Sequence, residues 1–548
     1  MPLDALITGR IATLAGESGL GWVEAIGIRD GRVAFAGSEV DLETRADPHT
    51  ERFQLEPDQV AIPGLTDAHL HLAQAALAVR QVDLTSAGTV AEGMDAVRRA
   101  AAGTHEPGAW ILGHGWDVGR WGRWPMAADV DAVAPGRRVA LWAHDHHALL
   151  ASTAALGEAG LDRDRPDPPN GVIRRAADGT PEGALLEGAA GLVAALIPPP
   201  SDDELEAAIR ATGRELLELG VVACHDPGTI EPDPGLTRSF PVYARLAEAG
   251  RLPLRVHACL RREALATAIE RGIRSGQSLG GQHATVGWLK LFADGALGSR
   301  TAALLGEYEV EADRPPPPER RRGIWVTEPR ELAALAGQAA GAGIATQIHA
   351  IGDAAARAAL DALEGVPGRA ALPLMARIEH VQFLDPADRS RFARAGIAAS
   401  IQPVHLRSDA DAARRAWGGR AERSAYAWGS LAAAGALLGF GTDAPVEPFD
   451  PWPGLAIAMT RRDAGWDDPE RPFGPDEALT LDQVLRAACV GPALTAGELD
   501  RGRLTVGQRA DVVVLAAAAL DEPAEPGGAL ATARPDLVML DGDVVFER

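Results

Sequence analysis

His69 and His71 in "DAHLHL", Lys290 in "GWLKLFADG", His349 in "HAIGD", His380 in "EHVQF" and Asp443 in "GTDAP" are the residues of this 548-residue chain best suited to chemistry. Imidazole nitrogens, a carboxylate and a lysine amine brought to one place make an N/O donor set for Zn²⁺ or a similar divalent cation. Any one such histidine is ordinarily a packed or solvated residue; the joint pattern is what carries weight. Lys290 stands out for a second reason, because among 53 basic residues it is the only lysine. A composition so biased towards arginine replaces lysine wherever any cation will serve. Position 290 therefore needs an amine that can lose its proton when buried, which a guanidinium cannot do. Its neighbours Trp288, Leu289, Leu291 and Phe292 are those of a buried strand, where an unpaired cation is costly. An ion pair with Asp294 is the alternative that would make Lys290 purely structural.

The elements that must position these residues are legible from periodicity. From about residue 60 to 490, apolar runs alternate with alanine-rich helical stretches, which predicts βα units on a parallel sheet. The runs are "VAIPGLTDAHLHL", "GVVACHD", "LPLRVHACL", "VGWLKLFADG", "IATQIHAIG", "ARIEHVQFL", "GIAASIQP" and "LLGFGTDAP". Eight such strands close an α/β (β/α)₈ barrel of the TIM type, and the six residues fall towards their C-terminal ends, where that fold builds its active sites. On the first run, His69 and His71 are two apart and so point to the same side. "SDDELEAAIRATGRELLELG" reads as a helix with Ser201 as cap and an acidic first turn.

The two chain ends contain short strands around the turns Asp30-Gly31 and Asp541-Gly542, each too small for a core of its own. They are expected to combine into one small β-sandwich, from residues 1–58 and 491–548, flanking a barrel at 59–490. The stretch of about 80–215 is too long for one crossover and reads as an insertion after the first barrel strand. Its runs "AWILGHGWD" and "RVALWAHDHHALL" predict strands within it, while "RPPPPERRRG" reads as a surface loop.

A formal charge of -23 argues against nucleic acid or an anionic membrane as partner. Three cysteines, far apart, suit a reducing compartment, and no apolar run approaches a membrane span. A cytoplasmic protein acting on a small molecule is the expectation, with a homodimer open to it.

The motifs "PGLTDAHLHL", "KLFADGALGSR", "HAIGD", "EHVQF" and "GTDAPV", taken in order, resemble those of the amidohydrolase superfamily, in particular its YtcJ-like branch, which includes N-substituted formamide deformylases. The likeness runs nearly the whole length, through "GWD", "HDHHA" and "GRLTVGQRADVVVL"; it departs at His146, where the branch carries glycine. The resemblance implies that His69, His71 and Asp443 hold one ion and His349 and His380 a second. Lys290, carboxylated by CO₂, would bridge them. It also implies that Asp443 is the general base in hydrolysis of an amide-type C–N bond, with one or two ions, zinc foremost, as cofactor.

Near this site, His114, Trp116 and Asp117 in "GHGWD" and His144 and His146 in "HDHHA" are candidates to contact substrate, as are Asp294, Gln402 and His405. Arg300 is a candidate anchor. Two other readings remain: a phosphotriester or lactone hydrolase using the same metal pair, and a barrel that has lost catalysis and serves as a scaffold.

Overall fold

The computed structural model describes residues 3–45, 47–103, 108–144, 146–168, 171–228, 239–309, 320–522 and 524–548. Its centre is made by eight parallel strands: β1 (Leu65–Asp67), β2 (Val221–Asp226), β3 (Arg255–Arg261), β4 (Ala284–Phe292), β5 (Thr346–Ala350), β6 (Arg377–His380), β7 (Ala398–Ile401) and β8 (Leu438–Phe440). They are hydrogen-bonded in chain order from β1 to β8. Backbone bonds across the first and last members close the ring: Ala68 N donates to Phe440 O at 2.7 Å, Asp443 N to His69 O at 2.6 Å and His71 N to Ala444 O at 3.0 Å. That approach requires Gly441, since a Cβ there would lie 2.6 Å from the His69 nitrogen. Each expected run supplies one strand, because a strand buried on both faces must be continuously apolar.

The first run departs from expectation. Its opening half, Gln59–Pro63, pairs with Val512–Ala516 in the terminal sheet, and only Leu65–Asp67 belongs to the barrel. His69 and His71 therefore lie beyond the strand, His71 immediately before the helix Leu72–Ala78. Their shared orientation comes from the bonds to the β8 exit rather than from strand alternation.

Helix Asp202–Glu218 feeds β2. Ser201 accepts from Glu204 N while the Glu204 side chain returns to Ser201 N, and Leu205, Ile209 and Leu216 are buried.

Both chain ends meet in one eight-stranded sheet, with Ala5–Ala12 and Gln59–Pro63 joining its two wings. Ile7, Ile26 and Ile28 of one wing gather with Leu504, Val512 and Met539 of the other in one apolar cluster. The hairpins use the expected turns, with φ of 51° and 71° at Asp30 and Gly31 and 51° and 84° at Asp541 and Gly542. Arg255 of β3 fastens this sheet to the barrel through Asp511 at 2.8 Å and Asp541 at 2.5 Å.

The stretch after β1 carries its own six-stranded sheet, from Val82–Asp83 to Pro181–Glu187, with two apolar clusters of its own. Helix Asp202–Glu218, inside the range read as insertion, is the barrel's. Most of the proline-rich run after β4 lies outside the described residues. No helix among the described residues is long and apolar enough to cross a membrane.

Candidate metal centre and active site

The six singled-out residues gather at the C-terminal mouth of the barrel, and all are buried. Asp443 is their hub. Its Oδ1 lies 3.3 Å from His69 Nε2 and 3.2 Å from His71 Nε2, in hydrogen-bond geometry with neither. Its Oδ2 lies 3.1 Å from His405 Nε2 and 4.0 Å from His380 Nδ1, an atom that also lacks a partner. Donor atoms of His69, His380 and Asp443 all stand within 4.8 Å of one another. The His349 ring is 4.5 Å from that of His380, centroid to centroid, and its Nε2 donates to the Gly295 carbonyl at 3.0 Å, leaving Nδ1 for a ligand. Asp443 and His380 have φ of 62° and 71°. This left-handed backbone costs a non-glycine residue roughly 1 kcal/mol, and such strain collects at functional sites.

Lys290 Nζ lies 3.4 Å from His69 Nε2 and 4.8 Å from the Phe292 ring centroid. It makes no ion pair among the described residues. The alternative partner, Asp294, is occupied elsewhere: it accepts from Ala303 N, Ile351 N and Gly352 N at 2.8, 3.0 and 2.8 Å, and so ties the loops after β4 and β5 together. Burial lowers the Lys290 pKa to about 8, with Glu379 and Asp443 opposing the fall. Burial likewise raises Asp294 to about 7 against those three amides.

Beneath the mouth lies a support that sequence reasoning missed. Glu379 Oε2 sits 2.5 Å from His69 Nδ1, and its Oε1 is 2.7 Å from Arg377, whose guanidinium stacks 4.0 Å over Trp288 and donates to Gln347. Burial alone would raise the Glu379 pKa, but Arg377 and His69 bring it down to about 2. Burial and Lys290 hold His69 down at about 4, so its ring is neutral. With the proton on Nδ1 facing Glu379, Nε2 offers its lone pair to the mouth. Glu379 adjoins His380 in the "EHVQF" motif, but nothing local marks it as a partner of His69.

A cavity of about 860 Å³ opens above these residues. Among the expected substrate contacts, Trp116, Asp117, His144 and His405 line it, as does Arg300. His114, His146, Asp294 and Gln402 do not. Gln402 is buried against Ser400, Asp294 is held by its amides, and His114 faces His146 inside the insertion, ring centroids 6.4 Å apart.

His146 is turned inward by a φ of 55° and stacks on Trp142 at 5.8 Å. That left-handed conformation is one that glycine adopts without strain. Both His146 ring nitrogens are buried without a hydrogen-bond partner. His146→Gly would relieve about 1 kcal/mol of backbone strain and lose ring packing of similar size. We expect a net stability change within about 1 kcal/mol, read by thermal unfolding, and turnover within about threefold of wild type. A tenfold loss of turnover would restore His146 to the substrate path.

His144 and His147, either side of this turn, face the barrel. His144 Nε2 is 3.0 Å from Glu447 Oε1, and Ser408 Oγ donates to the same oxygen at 2.9 Å. His147 Nδ1 is 3.0 Å from Glu187 Oε2, and Thr301 Oγ1 donates to Glu187 at 3.1 Å. Burial would lower the pKa values of His144 and His405, but Glu447 raises His144 to about 9, and Asp443 and Glu447 raise His405 to about 10. Glu447 and His147 were not singled out from the sequence, although Glu447 lies beside "GTDAPV" and His147 inside "HDHHA".

The comparisons agree with this architecture. A model of the amidohydrolase family matches residues 58–546. The chain is 29% identical over 532 residues to the putative amidohydrolase YtcJ of Bacillus subtilis strain 168, covering 96% of each. It is 26% identical over 509 residues to the N-substituted formamide deformylase of Arthrobacter pascens, covering 90% of each. An uncharacterized metal-dependent hydrolase from Pyrococcus horikoshii OT3 superimposes with a TM-score of 0.72 at 25% identity, over 93% of this chain and 97% of that one. With an eight-stranded parallel barrel, histidines and an aspartate at its mouth, and a family match over nearly its full length, this chain belongs to the amidohydrolase family.

Proposed function

We propose that the protein is a metal-dependent hydrolase that cleaves an amide-type C–N bond, in a formamide or related amide of a small molecule. The observation that carries this reading is the position of Asp443. One oxygen faces two imidazole nitrogens without hydrogen-bonding to them, and the other faces His405 and the unpartnered Nδ1 of His380. Orphaned donors so arranged fit a divalent cation, and N/O donors of this kind suit zinc. His69, His71 and Asp443 would hold one ion and His349 and His380 a second. Lys290 would join them as a carbamate, formed when its neutral amine adds CO₂ and releases a proton. A bound divalent ion would supply Lewis acidity towards the substrate carbonyl and a lowered pKa for the attacking water.

The remaining work belongs to the chain. Glu379 fixes the His69 tautomer, so that Nε2 faces the mouth. Asp443 takes the proton of the attacking water and returns it to the leaving amine, with His405 steadying Oδ2 during both transfers. Trp116 and Phe292 wall a cavity whose 860 Å³ greatly exceeds a formyl group, so most of the bound substrate would lie on the amine side. The kinship with an N-substituted formamide deformylase supports this division.

The test measures metal by elemental analysis on purified protein, then turnover of N-substituted formamides, lactones and a phosphotriester side by side. Stoichiometric metal with preferred hydrolysis of the amides is expected. Preference for the lactone or triester would overturn the C–N assignment, and metal-free protein inactive on all three would favour a scaffold.

A further inference from the structure

The insertion approaches the mouth through a line of alternating charge-bearing groups. Asp443 Oδ2 lies 3.1 Å from His405 Nε2, His405 Nδ1 lies 3.8 Å from Glu447 Oε1, and that same oxygen lies 3.0 Å from His144 Nε2. Carboxylate and imidazole alternate twice between the barrel and the insertion. Glu447 is 3% exposed at its side chain and His405 8%, so the inner contacts are shielded from water, where screening is weak. His144 is anchored at the far end by its own backbone, whose N–H donates to Trp116 O at 2.8 Å. A second contact seats the insertion on the other side of the mouth. It runs from His147 through Glu187 to Thr301, in the loop whose Gly295 carbonyl holds His349.

We propose that the insertion is a working part of the metal centre, with His144 as a positioning residue that fixes Asp443 through Glu447 and His405. The cavity wall and the metal centre are thereby one mechanical unit. Asp443 sits on left-handed backbone at the exit of a three-residue strand, and its carboxylate needs a lateral hold to keep Oδ1 on the histidines. His405 provides that hold only while Glu447 restrains the other side of its ring. Glu447 is in turn restrained by a donor from each body: Ser408 of the barrel and His144 of the insertion. Removing His144 leaves Glu447 held by Ser408 alone, so that it can turn away from His405.

This inference rests on the metal-dependent reading above, and its test has a readout that needs no substrate. Metal-loaded protein is dialysed against a chelator, and metal loss is followed by elemental analysis. His144→Leu should lose metal about tenfold faster than wild type, the lower end of what removing an outer partner of a ligand costs. His144→Gln, whose amide can still donate to Glu447, should stay within about threefold. Combining His144→Leu with Glu447→Gln should be no worse than Glu447→Gln alone, because both act through one contact. Should His144→Leu fail to fold, His144→Asn, too short to reach Glu447, replaces it. With an amide substrate, kcat should fall about tenfold at a KM within about threefold. Wild-type metal retention in His144→Leu, equal losses in the leucine and glutamine variants, losses that multiply in the double variant, or a change confined to KM would each overturn the proposal. A wild type that never holds metal would instead overturn the hydrolase reading itself.

Discussion

Lys290→Arg, Lys290→Ala and Lys290→Met each abolish turnover, falling by roughly a thousandfold, the scale of losing a preorganised electrostatic group, while the barrel remains folded. The arginine variant is the sharpest of the three, since by charge it is the mildest change. A guanidinium at 290 would place a permanent cation 3.4 Å from the nitrogen that His69 turns towards the mouth, where an anionic bridge is proposed. In the alanine variant, the space left behind should admit acetate or propionate in place of the carbamate oxygens. Millimolar concentrations of either should restore part of the activity to alanine and none to arginine. Lys290→Met fills the same volume without a buried amine, so with metal removed its thermal midpoint should equal or exceed that of wild type, as no ion pair is lost with the amine. Rescue by an added amine, or wild-type turnover in the arginine variant, would return Lys290 to a structural role. Density at Nζ in a metal-loaded crystal is the direct check, because a carbamate is lost in acid before mass analysis.

Asp443→Asn lowers kcat by about a hundredfold or more, the usual loss on removing a general base, with a smaller effect on KM. The amide keeps the size and one oxygen, so the fold and the closure of the barrel through Asp443 N and His69 O should survive. What it loses is the capacity to accept a proton. The carboxylate is held ionised well below its ordinary range: burial opposes ionisation, but His69 and the hydrogen bond from His405 more than compensate. A base with so depressed a pKa stays ready through the neutral range, so wild-type turnover should show no acid limb there from Asp443. In the variant, elemental analysis separates loss of the base from loss of metal. Retained metal with a hundredfold lower kcat is the expected result, and near-normal turnover would remove Asp443 from the mechanism.

The legible part of the site was its address. A lone lysine among arginines, two histidines two residues apart and three more polar residues at the ends of apolar runs could be placed at one barrel mouth. Strand ends and turn chemistry are local properties, readable over ten residues. The contacts outside the motifs were less accessible. Glu447 and Arg377 are ordinary surface residue types, and their burial follows from neighbours that periodicity does not name.

By itself, the sequence determined the eight-strand order, the two Asp-Gly hairpins at the chain ends, and the residues available for a metal. A period of two or of 3.6 residues, with its turns, decides which faces must be buried. Only the tertiary structure decided what holds those residues. His69 meets Glu379 across 310 positions, and His144 meets Glu447 across 303. It also broke the first apolar run between two sheets, turned His146 away from the cavity on left-handed backbone, and gave Asp294 to three amides rather than to Lys290. These choices depend on the closing of the barrel and the seating of the insertion. A buried polar group takes whichever partner that closure brings within 3 Å, and no local pattern encodes the distance.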